Sequence, residues 1–143
     1  MTDRLDSTTR SALMRAVRRK DTTPELRVRR LAHRLGLRFR LHRHDLPGTP
    51  DMVFPRWRIA LFVHGCFWHR HSGCRYATMP ATRREFWEVR FTANQARDRR
   101  QAEQLRSLGW RVVVVWECET RLLQELEARL RALFMLPPDI GDS

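Results

Sequence analysis

Apolar residues change their spacing several times along the chain, and each change marks an element. Residues 7–20 set Ala12, Leu13, Ala16 and Val17 among arginines at helical intervals, with Ser7 or Thr8 as cap. Thr22-Thr23-Pro24-Glu25 then supplies a capping residue, a first-turn proline and an early acid. Leu26, Leu31 and Leu35 follow at helix-compatible spacings, and Gly36 stops the run. Residues 39–42 predict a short strand leading into the turn cluster Pro47-Gly48-Thr49-Pro50. Residues 51–54 and 59–63 predict two strands joined through Pro55-Arg56-Trp57, the second apolar throughout as in a strand covered on both faces. Periodicity fails over 64–80. Thr82-Arg83-Arg84-Glu85 reads as a capping box opening a helix to Leu108, closed by Gly109. Residues 111–116 predict another buried strand, and residues 119–136 a final helix stopped by Pro137-Pro138. With no repeat and no linker, this order predicts one α/β domain over 1–143, a mixed central sheet flanked by helices.

Charge adds a partner class. The chain has 143 residues with 28 Lys and Arg against 16 acids, a net charge of +12. All but Lys20 of those bases are arginine, whose planar fork suits bidentate phosphate contact. Residues 1–45 hold 13 bases and 5 acids, whereas residues 117–143 hold 3 bases and 6 acids, so the basic surface is oriented. That asymmetry predicts a DNA-binding basic helix over 1–20 and an acidic segment over 120–143. No run is long and apolar enough for a membrane span, and the first residues carry no secretory pattern, so a cytoplasmic protein is expected.

The unpatterned stretch concentrates ligating side chains. His64, Cys66, His69, His71 and Cys74 fall within eleven residues, and Cys118 ends the last strand. An odd number of cysteines in a cytoplasmic chain points to metal or a reactive thiol rather than disulfides. Cys66, His71, Cys74 and Cys118 would complete a tetrahedral zinc site, with His69 an alternative to His71 that spacing does not separate. Asp51, at the head of a strand after Pro50, is placed as magnesium-binding nuclease carboxylates are. The second strand offers Val63-His64 where such sites carry an acid and a lysine, so His64 and His69 are candidates for the proton-accepting role. Phe67 and Trp68 lie where no element periodicity calls for core residues, and Trp87 opens a basic helix; aromatic wedges of this kind unstack base steps.

Leu46-Pro47-Gly48-Thr49-Pro50-Asp51, His64-Gly65-Cys66-Phe67-Trp68-His69, Pro80-Ala81-Thr82-Arg83-Arg84-Glu85-Phe86-Trp87, Gly109-Trp110-Arg111-Val112 and Val115-Trp116-Glu117-Cys118 closely resemble the very-short-patch repair (Vsr) DNA mismatch endonucleases. Thr9-Arg10-Ser11 and Met14-Arg15-Ala16 match as well, so the resemblance spans about residues 7–120. It implies a restriction-endonuclease-like three-layer fold with a structural zinc site and a monomer acting on double-stranded DNA. The implied reaction is hydrolysis of the phosphodiester 5′ to the thymine of a T:G mismatch, the product of 5-methylcytosine deamination. The implied roles are magnesium binding by Asp51 and the Val63 carbonyl, general base catalysis by His69, assistance from His64, and an active-site place for Glu25. The resemblance assigns zinc to Cys66, His71, Cys74 and Cys118, and contact with the mismatched step to Met14, Arg15, Phe67, Trp68 and Trp87. It further implies a nucleoid-associated bacterial protein coupled to mismatch-repair proteins. Three departures stand out: Val63 stands where a threonine is often found, Ser72-Gly73 lengthens the zinc loop by one residue, and the acidic segment 120–143 carries no readable motif. Two rival readings remain at this point, a zinc-stabilised DNA-binding module without activity and a related nuclease for matched sites.

Overall fold

The structure is a computed structural model that describes residues 21–136. The expected N-terminal helix, with Met14 and Arg15, and the Pro137-Pro138 stop lie outside the described residues. The first described helix, α1 (Thr23–Arg34), has both ends written in its sequence. Thr22 is the N-cap and its side-chain oxygen accepts from the Glu25 amide. At the other end Gly36 takes φ +79°, its N–H bonds to the His33 carbonyl at 3.0 Å, and the Leu37 N–H reaches the Ala32 carbonyl at 3.0 Å. That pair of bonds is a Schellman stop, which needs a left-handed residue at this place.

Four strands follow in one sheet, ordered β1 (Arg40–Leu41), β2 (Met52–Phe54), β3 (Ile59–His64) and β4 (Arg111–Trp116). The first three are antiparallel neighbours, while β3 and β4 run parallel with Val63 opposite Val115 and His64 opposite Trp116. The parallel pair requires a long crossover, which α2 (Arg84–Ser107) provides. Strand alternation then sorts the side chains into two cores. Met52, Phe54, Ile59, Leu61, Val113 and Val115 meet α1 and α3 (Leu123–Leu133) on one face. Val53, Ala60, Leu105 and Trp110 pack on the other face, beneath α2. The result is the expected three-layer arrangement with a mixed central sheet.

Two boundaries differ from expectation. Helix α2 begins at Arg84, two residues after Thr82, behind Arg83, which sits at φ 55° and gives no side-chain cap. The final helix is not continuous from 119. A 3₁₀ turn over Glu117–Arg121 comes first, and α3 starts only at Leu123. The cause is Glu119, whose carboxylate accepts from the Trp116 amide at 2.8 Å and from Arg129 at 2.7 and 2.8 Å. Holding Glu119 back against the strand end tightens the chain after β4 before a regular helix can begin.

Candidate active site

The turn between β1 and β2 aims the first functional carboxylate. Pro47 and Gly48 occupy the centre of a turn closed by the Thr49 N–H to the Leu46 carbonyl at 3.1 Å, and Gly48 has φ +77°. Proline followed by a positive-φ glycine is the type II pattern. The chain then enters β2 through Asp51, whose Oδ2 accepts the Val63 N–H from β3 at 2.7 Å. Asp51 lines an open cleft of about 760 Å³ together with Glu25, Val63, His64, Trp68, His69, Asp98 and Gln101. Every catalytic residue expected from sequence therefore faces one space. Burial pushes the Asp51 carboxyl up to about 7; the Val63 amide opposes this, Glu25 adds to it, and Arg29 opposes it.

Strand β3 is buried over its first half and opens towards the cleft from Phe62 onward, which carries His64 out of the core. The His64 and His69 rings stack nearly parallel, with centroids 3.8 Å apart. Burial, and then the neighbouring imidazole, push His64 down to about 3, so this ring stays neutral at physiological pH. His69 Nδ1 lies 2.6 Å from Asp98 Oδ2 on α2. Burial acts to raise Asp98, but its bond to His69 and the charges around it outweigh that and hold the carboxyl below its ordinary range. Asp98 was missed in the sequence. Its signal was there, as the lone acid between Glu88 and Glu103 on an otherwise basic helix.

Glu25 is 6 % exposed and held from several sides. It accepts from the Asp21 amide at 3.2 Å, the Thr22 hydroxyl at 3.3 Å and the Arg29 guanidinium at 3.3 Å. Arg29 also donates to His42 Nε2 at 3.1 Å, so one guanidinium knits α1 to the start of the β1–β2 loop.

The sulfur-rich cluster lies past the end of β3. The ligand atoms of Cys66, His71, Cys74 and Cys118 all fall within 4.8 Å of one another. His71 Nδ1 is 3.6 Å from Cys66 Sγ and 3.4 Å from Cys118 Sγ. A tetrahedral ion with bonds of about 2.0–2.3 Å separates its ligands by roughly 3.3–3.8 Å, so the donor set fits one metal. Burial above all pushes the Cys66 thiol up to about 12 when no cation is there to favour the thiolate. His71 is in the cluster and His69 is not, which separates the two histidines that spacing alone left open. Trp116, expected as plain core, stands between the two sites: His71 stacks on it at 4.3 Å and His64 meets its edge at 5.3 Å.

Phe67 and Trp68 leave the loop half-buried and pack on aromatic residues of α2. Phe67 lies 5.8 Å from Trp87 and 5.2 Å from Phe91, and Trp68 lies 5.8 Å from Trp87. Trp87 is only 9 % exposed and stands behind the pair. Asn94, also on α2, donates to the Trp68 carbonyl at 3.3 Å.

A mixed sheet flanked by helices, with Asp51 at the head of one strand and an open cleft at the end of the next, is a restriction-endonuclease-like arrangement. The catalytic domain of homing endonuclease I-Bth0305I is similar in fold, with a TM-score of 0.56 over 80 % of this chain and 96 % of that one at 17 % identity. The chain belongs to the DNA mismatch endonuclease Vsr family, whose model matches residues 2–75. Type II nicking enzyme V.XorIIP of Xanthomonas oryzae pv. oryzae is 57 % identical, over 92 % of this chain and 96 % of that protein. DNA mismatch endonuclease Vsr of Escherichia coli is 46 % identical, over 88 % of this chain and 80 % of that protein. The protein is thus a DNA endonuclease, and among its described residues no helix is long and apolar enough to cross a membrane.

Proposed function

We propose that the chain nicks double-stranded DNA 5′ to the thymine of a T:G mismatch, as a monomer in the bacterial cytoplasm. The observation that carries this reading is the opening of a carboxylate, two stacked imidazoles and an aromatic side chain, Trp68, onto one cleft. In this reading Asp51 and the Val63 carbonyl hold magnesium, and Cys66, His71, Cys74 and Cys118 hold a structural zinc. Magnesium supplies charge neutralisation at the scissile phosphate.

The rest is the work of the chain's own groups. With its Nδ1–H given to Asp98, His69 keeps Nε2 as its basic nitrogen, the tautomer needed to accept a proton from attacking water. His64, kept neutral against the same ring, adds no positive charge that would stop His69 from taking that proton. Glu25, held by its three donors, keeps its carboxyl on the same cleft. Phe67 and Trp68, backed by Trp87, wedge into the mismatched step, which a wobble pair yields at lower cost than a matched pair. Arginines of the basic N-terminal segment, with Met14 and Arg15 among its residues, add contacts to the duplex phosphates. The name of one relative, a nicking enzyme, supports single-strand cutting, and that of the other, a mismatch endonuclease, supports action at a mismatch.

The test is strand-resolved cleavage of labelled duplexes carrying T:G, T:A or C:G at one position, within randomised flanking sequence. A magnesium-dependent nick confined to the thymine strand of the mismatch is expected, abolished by Asp51→Ala. Cutting of matched duplexes at equal rate would replace this reading with that of a matched-site nuclease.

A further inference from the structure

The loop that carries Phe67, Trp68 and His69 has no strand or helix to fix its shape, yet three of its backbone carbonyls converge on one side chain. Arg70 donates through Nη1 to the Phe67 carbonyl at 3.3 Å and the Thr78 carbonyl at 3.0 Å, and through Nη2 to the Ala77 carbonyl at 3.0 Å. Its guanidinium also lies over the Phe91 ring at 4.1 Å and near the Phe67 ring at 5.6 Å. The backbone at Arg70 is left-handed, with φ 54°, a conformation a non-glycine residue keeps only where surrounding contacts demand it. We propose that Arg70 is a positioning residue for mismatch recognition, a clip that joins the two arms of the loop and seats the Phe67-Trp68 pair against α2.

The geometry gives the clip its specificity. A flat guanidinium can serve carbonyls along its edge while its face rests on an aromatic ring, and each carbonyl bond to a charged donor is stronger than a neutral one. A lysine ammonium in the same place carries the charge but cannot span the Phe67 carbonyl on one side and those of Ala77 and Thr78 on the other. The clip is separate from the metal cluster, since Arg70 touches none of the four ligand side chains in these contacts, and separate from the catalytic dyad of His69 and Asp98. What it fixes is the direction in which Phe67 and Trp68 leave the backbone. Wedge residues that sample several directions spend binding free energy on ordering before they can unstack a base step.

This inference rests on the proposal that Phe67 and Trp68 form the wedge, so both are tested together. Wild type, Arg70→Lys, Arg70→Ala and Phe67→Ala are compared on T:G and T:A duplexes with randomised flanks and 2-aminopurine beside the mismatched position. Cleavage rate, affinity, 2-aminopurine emission and zinc per chain are read for each. With zinc still at one per chain, the Arg70 variants should lose tenfold or more in kcat/KM on T:G and most of the 2-aminopurine rise. Affinity of the lysine variant for the T:A duplex should stay within about twofold, because the charge is kept. Wild-type T:G cleavage in either zinc-loaded Arg70 variant overturns the inference. So does loss of zinc in both, which would make Arg70 a support of the metal cluster. If Phe67→Ala leaves T:G preference and 2-aminopurine emission intact, the wedge itself fails and the clip with it. If Phe67→Ala abolishes them and the Arg70 variants do not, the clip alone is wrong.

Discussion

Asp51 is a carboxylate held where burial makes its charge unwelcome, and Asp51→Asn measures how unwelcome. In the folded protein burial, with Glu25 adding to it, lifts the Asp51 carboxyl from 3.8 to about 7. At about 1.4 kcal/mol per unit, a rise of about three units corresponds to roughly 4 kcal/mol between charged and neutral forms, and 2–4 kcal/mol is a fair range after local relaxation. The direction follows from linkage: a group whose folded value is raised costs nothing below its unfolded value near 4, and loses stability as pH rises through about 7. Asparagine keeps an acceptor for the Val63 amide, now 2.7 Å from Oδ2, while discarding the charge. The two proteins should therefore unfold together near pH 4 and separate as pH rises, with the variant more stable by 2–4 kcal/mol above about pH 7.5. For 143 residues that is roughly 6–12 °C in Tm. Thermal unfolding is followed across this pH range with zinc loaded and no divalent cation added; magnesium titration should then raise the wild type alone, by about 2.7 kcal/mol at a hundredfold excess over its Kd. A difference that is flat with pH, or a variant less stable at pH 8, would refute the reasoning.

Other consequences are as specific. Asp98→Asn should lower single-turnover cleavage by about 10²–10³-fold, because His69 loses the partner that sets its tautomer, while mismatch affinity measured by anisotropy stays within about twofold. Stripping zinc with a strong chelator should expose Cys66, Cys74 and Cys118 to a thiol reagent and open the 66–80 loop to proteolysis, both reversed by returning zinc. Gly36→Ala finds nothing within 4 Å of its new methyl, so it should cost only the backbone strain of φ +79°, about 1–2 kcal/mol by denaturant unfolding. Gly48→Ala should cost cleavage rate as well as stability, because its methyl would sit 2.9 Å from the Gln101 side chain that lines the cleft.

How much of this was legible depended on whether a residue's partners are near in sequence. The two ends of α1 are local, and Thr22, Pro24 and Gly36 announce them. The pairing of β2 with β3 follows from a short connection, and the Cys66, His71, Cys74 cluster from close spacing. Cys118 was placed from residue type and the resemblance rather than from spacing, since its approach depends on a parallel strand pair made by a 24-residue crossover helix. Asp98 was missed because α2 buries only Trp87, Phe91, Asn94 and Leu105, and its middle turns a polar side towards the cleft. An acid there looks like any solvated helix residue until the fold sets it beside His69. The final helix was overextended for a similar reason. Glu119 has good helical neighbours in sequence, but its partners, the Trp116 amide and Arg129, exist only once β4 and α3 are packed.

The placement of Trp116 lets one short stretch of chain present two separate sets of ligating side chains of different chemistry. His64, His69 and His71 lie within eight residues, and three imidazoles near three thiols would by composition favour a single zinc over any magnesium site. The fold prevents that mixing by giving each ring its own neighbour. His71 lies flat on the Trp116 indole with Nδ1 turned to the sulfurs, whereas His64 meets the edge of that indole and stacks on His69, which is tied to Asp98. An indole offers no lone pair to a cation, so Trp116 itself cannot bridge the two sets. Trp116 sits opposite His64 in the register of the parallel β3–β4 pair, and Cys118, two residues on, is turned back towards Cys66 by the 3₁₀ turn that Glu119 holds. Trp116→Ala should therefore do more than open a cavity. With the partition gone, His64 and His71 can share an ion, and the variant should take up more than one zinc per chain and lose activity as zinc is raised. Trp116→Phe keeps an aromatic plane and should bind one zinc as the wild type does. Metal analysis and cleavage across a zinc titration read both, and an alanine variant that binds one zinc and resists excess would show that the partition is not what keeps the two sites apart.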